Sequence, residues 1–550
     1  MELQRTLLFA ALAMVIFLLW QAWQAEYGPA PQLPAQTQTS APTASAPGEI
    51  PSVATQPAPT STAVPTAGEQ LAGGQRVRVI TDVLDLTLDT LGGDVRKVAL
   101  LEHPVASDKP DQPFVLMSDG GPELFIAQSG FANKTAETPD VVTSAPSHKS
   151  AYTVEQLEYR LEPGADSLIV PLTWRSPEGI SVTKRYIFRP GSYVIELAHD
   201  VVNDSALPWQ GTLYQQLQRS EVEVSHLMYT YTGGVIYSPE DKYQKISFDD
   251  MRDANLTRDI TGGWAAMIQH YFLSAWLPPA DQPHHYYTRA LGQGRFVIGM
   301  YSQDQLVPAG ARHTFTNRIY AGPKLQKVLE DVAPGLELTV DYGMLTIIAK
   351  PMFWLLDKIH SFVGNWGWSI IILTILIKLA FYKLSETSYK SMAQMKRIGP
   401  RMQALKERYG DDKQRMNQAL MEMYKKEKIN PLGGCLPILI QIPFFIALYW
   451  VLLETVELRQ AEWILWITDL SIKDPFYVLP VLMGVTMVAQ QKLNPAPLDP
   501  VQAKIMMALP LVFTVFFAFF PAGLVLYWLV NNALSILQQW YITRVVLKGT

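Results

Sequence analysis

The chain has 550 residues, of which 48% are hydrophobic and 17% charged, with a formal net charge of -5. It is too long for one ordinary domain and too apolar for a wholly soluble one, so a membrane component is expected. The near-neutral balance argues against sequence-specific nucleic-acid binding, and the single cysteine, Cys435, excludes an intrachain disulfide and a CxxC metal cluster.

Residues 1–24 carry Arg5 and then an apolar run from Leu7 to Trp20. The run fits a signal peptide or a retained anchor. The bulky Trp20 and Trp23 suit a cleavage site poorly, which favours an uncleaved transmembrane anchor starting in the cytoplasm. Residues 25–70 are rich in Pro, Ala and Thr and read as a disordered linker. From 71 to 325 two-residue alternation takes over, as in Leu84, Leu86 and Leu88 or Tyr193, Ile195 and Leu197, broken by turns such as Gly92-Gly93-Asp94 and Arg189-Pro190-Gly191. That pattern predicts one large antiparallel β-sandwich.

Residues 326–365 form a connector that ends in KPMFWLLDKIHSFVGN, with Met352, Leu355, Leu356, Ile359 and Phe362 or Val363 on one helical face. An interfacial amphipathic helix is expected there, with Trp354 and Trp366 at headgroup depth. Five apolar segments follow, at about 366–383, 433–453, 475–491, 505–520 and 522–542, each close to the ~17–25 residues that a span requires. With the anchor they give six spans: the second at 366–383, and the third to sixth within 432–543. The intervening loop 384–431, counted with Lys383, holds twelve cations against six anions, which assigns it to the cytoplasm. Both termini, including a short tail at 544–550, then lie in the cytoplasm, and the sandwich lies in the periplasm.

That loop carries Met392, Met395, Met402, Leu405 and Tyr409 at helical steps, a stop at Gly410-Asp411-Asp412, and Met416, Leu420 and Met423 beyond it. A helical hairpin is expected, with Pro400 a kink. Its methionines read either as packing between the two helices or as a pliable surface for apolar ligands. Met395, Met402, Arg408 and Met423 are the candidate residues of that surface. No phosphate loop, HExxH or Gly-x-Ser-x-Gly pattern occurs, so no enzyme activity, metal or cofactor is expected.

Within IIILTILIKLAFY (370–382) stands Lys378. Two readings stand side by side: it snorkels to the cytoplasmic surface, or it faces a hydrated cavity between helices. Thr374, one turn away, and Gln441, Thr486, Gln490, Thr514, Asn531, Asn532 and Ser535 on other segments supply polar company for the second.

The stretches NPLGGCLPILIQIPFFIALYWVL and FPAGLVLYWLVNNALSILQQW, with GDDKQRMNQALMEMYKKEKI ahead of them, closely resemble the YidC/Oxa/Alb family of bacterial membrane protein insertases, in its Gram-negative form. The resemblance spans nearly the whole chain. It implies a multi-pass α-helical protein with a five-helix insertase core and a large periplasmic β-supersandwich similar to mutarotase-like domains. It also implies a hydrophilic groove open to the cytoplasm and closed toward the periplasm. The family's groove cation is usually arginine, and the aligned residue here is Lys378. By the same alignment Thr374, Gln441, Ile442, Pro443, Tyr527 and Trp528 line the groove. Nascent membrane proteins, the ribosome, the Sec translocon and membrane lipids are the implied partners. A solute transporter or channel, and an anchored periplasmic glycan-binding protein, are the competing readings.

Overall fold

The computed structural model describes residues 73–120, 123–132, 140–222, 230–410, 412–427, 436–494 and 500–546. The expected anchor and linker, and Cys435, lie outside them. The described chain falls into two compact units, divided between Val340 and Asp341, inside the expected connector.

The first unit is the sandwich. Its strands run from Arg76–Ile80 (β1) to Arg312–Pro323 and form a ten-stranded and an eight-stranded sheet, with a further two-stranded pair. Alternation decides which side chains go inside: in Leu84–Asp89 (β2) Leu84, Leu86 and Leu88 are fully buried, while Asp85 and Thr87 between them are half-buried. Gly92 and Gly93, at φ 82 and 60, make the tight turn into the strand Asp94–Pro104, a backbone shape that side chains resist. Among the described strands pairing is antiparallel except that β1 runs parallel to Glu158–Arg160, and an isolated bridge from Val142 to Trp209 is also parallel. One end of the core is built on Trp209, packed with Phe131, Ile180, Val182, Val201, Leu213 and Val307. Two short helices belong to this unit: Phe248–Asp253 (α1), started by a reciprocal Ser247–Asp250 capping box, and Gln326–Val332 (α2).

The second unit is helical: Thr346–Val363 (α3), Trp366–Ala380 (α4), Tyr382–Tyr409 (α5), Lys413–Lys426 (α6), Leu436–Glu454 (α7), Val478–Leu493 (α8), Pro500–Phe517 (α9) and Ala522–Tyr541 (α10). Among the described residues no single helix is long and apolar enough to cross a membrane, although α4 and α5, bent by 68° at their junction, pass that test together. The apolar segments at 433–453, 475–491, 505–520 and 522–542 each coincide with a helix, shifted by a few residues. The span expected at 366–383 stops early, because α4 ends at Ala380.

Helix α3 has one apolar face covered by its neighbours and another left exposed. Ala349, Met352, Phe353 and Leu356 point inward, toward α4 and α7. Phe362 does not join them: it is 90% exposed, alongside exposed Ile347 and Trp354. Trp366 is buried, its ring stacked on His360 at 3.9 Å, and does not sit outside with Trp354. Gly364, at φ 69, ends α3, and the Asn365 side chain then caps α4 by accepting from the Trp368 amide.

Helices α8 and α9 meet where Gly484 lies against Thr514, and a Cβ there would fall 2.1 Å from the threonine hydroxyl. Gly484→Val is therefore expected to destabilise the helical unit by about 1–3 kcal/mol through overpacking. A thermal melt of the purified protein, followed by helical circular dichroism, checks it.

Candidate functional site

Lys378 lies in the last turn of α4, and its side chain crosses to α10, where the ammonium donates to Ser535 Oγ at 2.8 Å. Ser535 is 3% exposed and donates in turn to the Asn531 carbonyl at 2.7 Å. The cation is thus turned between two helices, and among the described residues no carboxylate pairs with it. One of its three N–H donors is held and two remain for another partner.

The other expected groove residues distribute unevenly. Thr374 is buried, but its hydroxyl donates to Ile370 O of its own helix at 2.7 Å, so it does not hold the cation. Thr486 and Thr514 are spent the same way, on Met483 O and Pro510 O. Gln441 of α7 reaches Ser385 of α5 at 3.3 Å, which ties the start of α7 to the segment just beyond the bend. Ile442 and Pro443 follow on α7, half-buried, with Pro443 inside the helix. Tyr527 is buried and Trp528 half-buried on α10, and the ring of Phe445 lies between α7 and both of them, 5.2 Å from Tyr527 and 4.2 Å from Trp528.

Phe445 was not singled out by sequence reasoning, although its place three residues after Ile442 puts it one turn along the same helix. Along α10, Trp528, Asn532, Ser535 and Gln539 follow one another at steps of four, three and four, a single helical face. On it the Trp528 indole N–H and the Asn532 amide nitrogen are enclosed without an acceptor among the described residues. The Gln539 Oε1 is likewise enclosed without a donor among the described residues, so the face meeting Lys378 is polar and only partly satisfied.

The hairpin formed by α5 and α6 closes on its own core of Ile398, Met416, Leu420 and Tyr424, with Met395, Met402 and Met423 packed against it. The Tyr424 hydroxyl points at the Met402 sulfur at 3.8 Å, and Arg401 bridges to Glu427 at 2.7 Å. Most of the methionine stripe thus serves helix packing, the first of its two readings. Arg408 is exposed, its guanidinium over the Tyr409 ring. Asp412 caps α6 by accepting from the Arg415 amide, and α5 runs through Pro400 without ending.

Comparison with known proteins covers the whole chain. A family profile described as the YidC periplasmic domain matches residues 76–355, and one described as a 60Kd inner membrane protein matches 358–548. The protein named membrane protein insertase YidC from Methylococcus capsulatus is 52% identical over 554 residues, covering 100% of this chain and 99% of its own. The protein of the same name from Alkalilimnicola ehrlichii is 54% identical, covering 99% and 96%. A crystal structure described as an active YidC insertase aligns with 86% of this chain and 93% of its own at 16% identity and a TM-score of 0.39. Two family profiles that together span both structural units, and half-identical relatives along the full length, place this chain in the YidC family of membrane protein insertases.

Proposed function

We propose that this insertase receives a nascent hydrophobic segment in a polar groove built around Lys378 and releases it sideways into lipid. In this reading the chain crosses the membrane six times, counting the N-terminal anchor, with both termini and the α5–α6 hairpin in the cytoplasm and the sandwich in the periplasm. A ribosome delivers the segment to the hairpin, where exposed Arg408 and the outer edges of the half-buried Met395, Met402 and Met423, which otherwise pack on the hairpin's core, are its first contacts, and the Sec translocon is a further partner. Thr374, Gln441, Ile442, Pro443, Tyr527 and Trp528 line the groove.

The observation that carries this reading is the contact of the Lys378 ammonium with Ser535 on a buried polar face. A cation merely snorkelling would extend to the surface. Burying a positive charge among apolar helices costs about 2.5–3.5 kcal/mol even on lenient scales, and a passenger carboxylate offsets part of it. Transfer of apolar area from water, at about 25 cal/mol per Å², drives insertion, while one solvated ion pair adds about 0–1 kcal/mol. Lys378 therefore guides the polar flank and does not power the step.

Crosslinking tests the groove. A photoreactive residue at position 378 or 527 is expected to capture a stalled nascent membrane protein. Absence of adducts at both 378 and 527 would overturn the groove assignment. Ser535 enters the same test as a positioning residue. Ser535→Val removes the hydroxyl and is expected to lower insertion of an Asp-flanked substrate at least about tenfold, since one hydrogen bond to a charged group is worth about 1.5–3 kcal/mol. Ser535→Thr retains the hydroxyl and the activity, and a neutral-flanked substrate distinguishes loss of positioning from loss of fold.

A further inference from the structure

Residues 455–477 join α7 to α8 and include EWILWITDLSIKDPFY. A loop in water turns its carboxylates out and its apolar side chains in. This one is inverted. Asp469 and Asp474 are 5% and 1% exposed, while Leu465, Phe476 and Ile472 are 80%, 68% and 50% exposed.

The inversion is built, and every link in it is a hydrogen bond or a packing contact. Asp474 accepts from the Trp466 indole at 3.0 Å, from the Phe476 amide at 3.0 Å and from the Leu479 amide at 2.7 Å, which also caps the start of α8. Asp469 accepts from the amide and the hydroxyl of Ser471, both at 2.7 Å. The loop's backbone is tied to itself by Leu470 N to Ala461 O at 3.0 Å, and to the start of α10 by Gly523 N to Leu470 O at 2.9 Å and Ala522 N to Ile472 O at 2.7 Å. Trp463 packs flush on Gly367 of α4, where a Cβ would fall 2.1 Å from its ring. Leu465 and Tyr477 are held at φ 55 and 56, a left-handed shape that costs an L-residue about 1–2 kcal/mol. The fold thus sustains local strain while Leu465, Ile472 and Phe476 stay outside and Ile467 and Leu470 are buried.

What lies outside must be apolar. The exposed apolar residues continue along the chain into Val481, Leu482 and Val485, which form the exposed apolar flank of α8, with exposed Glu462, Thr468 and Lys473 among them. A protein interface has a polar rim around its apolar centre, whereas a lipid-facing surface continues along the helix. At the edge of the patch stand Tyr477 and exposed Lys473, the ammonium 5.9 Å from the tyrosine ring, the pairing of aromatic and cation that suits a phospholipid headgroup.

We propose that residues 462–477 form a lipid-docking surface that seats Leu465, Ile472 and Phe476 in the interfacial layer of the outer leaflet, with Tyr477 and Lys473 at the phosphates. The proposal rests on the reading of α7 and α8 as membrane-crossing helices and is independent of the groove. It is tested on the full chain with Cys435→Ser and either Leu465→Cys or Phe476→Cys, each labelled with an environment-sensitive fluorophore in phosphatidylethanolamine–phosphatidylglycerol vesicles. Blue-shifted emission, quenched by shallow nitroxide lipid at least about twice as strongly as by aqueous iodide, is the expected result, in keeping with interfacial depth. Water-like emission quenched by iodide would overturn the proposal. Shielding from both quenchers would also overturn it and would point to a protein surface, such as a second copy. Insertion measured in the same vesicles separates the two readings, since loss of groove function leaves the lipid quenching unchanged.

Discussion

Lys378→Glu is expected to lower insertion of a substrate with an acidic translocated tail by up to about thirtyfold while leaving a neutral-tailed substrate near wild-type levels. The ammonium has two N–H donors beyond the one given to Ser535, and among the described residues no carboxylate neutralises it. Two unit charges 4 Å apart interact by about 4 kcal/mol at the effective dielectric of a protein surface, and hydration of an open groove reduces this. Charge reversal replaces attraction by repulsion, so up to about 1 kcal/mol in each direction gives a difference of up to about thirtyfold. Lys378→Arg keeps the charge and is expected to retain most activity, and Lys378→Met is expected to fall between. The measurement is protease protection of the translocated tail in reconstituted vesicles. Equal insertion of the Asp-tailed substrate by wild-type protein and Lys378→Glu would remove the guiding role of the cation.

The sandwich was legible because its alternation is local: Leu84, Leu86 and Leu88 reveal their face without knowledge of any partner. Helix positions in the second unit were legible from apolar runs, but their ends were not. Nothing between Ala380 and Tyr382 is Gly or Pro, and the bend there coincides only with a change from Ile and Leu to Lys and Ser. Which apolar residues of α3 are covered by neighbouring helices was not legible, because Phe362 fits the same period as Met352 and the outcome depends on where α4 and α7 lie. The Lys378–Ser535 contact joins residues 157 apart, and no pattern in either helix announces the other. One further site could have been found. In ISVTKRYIF the inward positions are Ile180, Val182, Lys184, Tyr186 and Phe188, so parity alone places a lysine in the core.

The stability of the sandwich is expected to rise between pH 8 and about pH 10 because of that lysine. Lys184 is fully buried, and its ammonium donates to Gly92 O at 2.6 Å and Ser129 O at 2.8 Å, both uncharged, with Asp94 acting on it only through space. Burial, partly opposed by Asp94, lowers its pKa from 10.5 to about 8. The folded state therefore binds fewer protons than the unfolded chain between those values, so unfolding free energy increases with pH in that window. The whole shift corresponds to about 3 kcal/mol, a penalty fully present below pH 8 and relieved toward pH 10.5. Tyrosines act in the opposite sense. Burial pushes Tyr152, Tyr186 and Tyr214 well above 10, so the stability they contribute is lost once unfolded tyrosines ionise. A maximum between about pH 9 and pH 10 follows from the two opposing slopes. Lys184→Met should flatten the rise. Its effect at pH 7 combines relief of the buried charge with two carbonyls left without a donor, about 1–3 kcal/mol each, so the slope is the discriminating quantity. Urea denaturation of residues 40–340, followed by tryptophan fluorescence from pH 7 to pH 10.5, gives that slope, and an unchanged rise in Lys184→Met would assign it to another group.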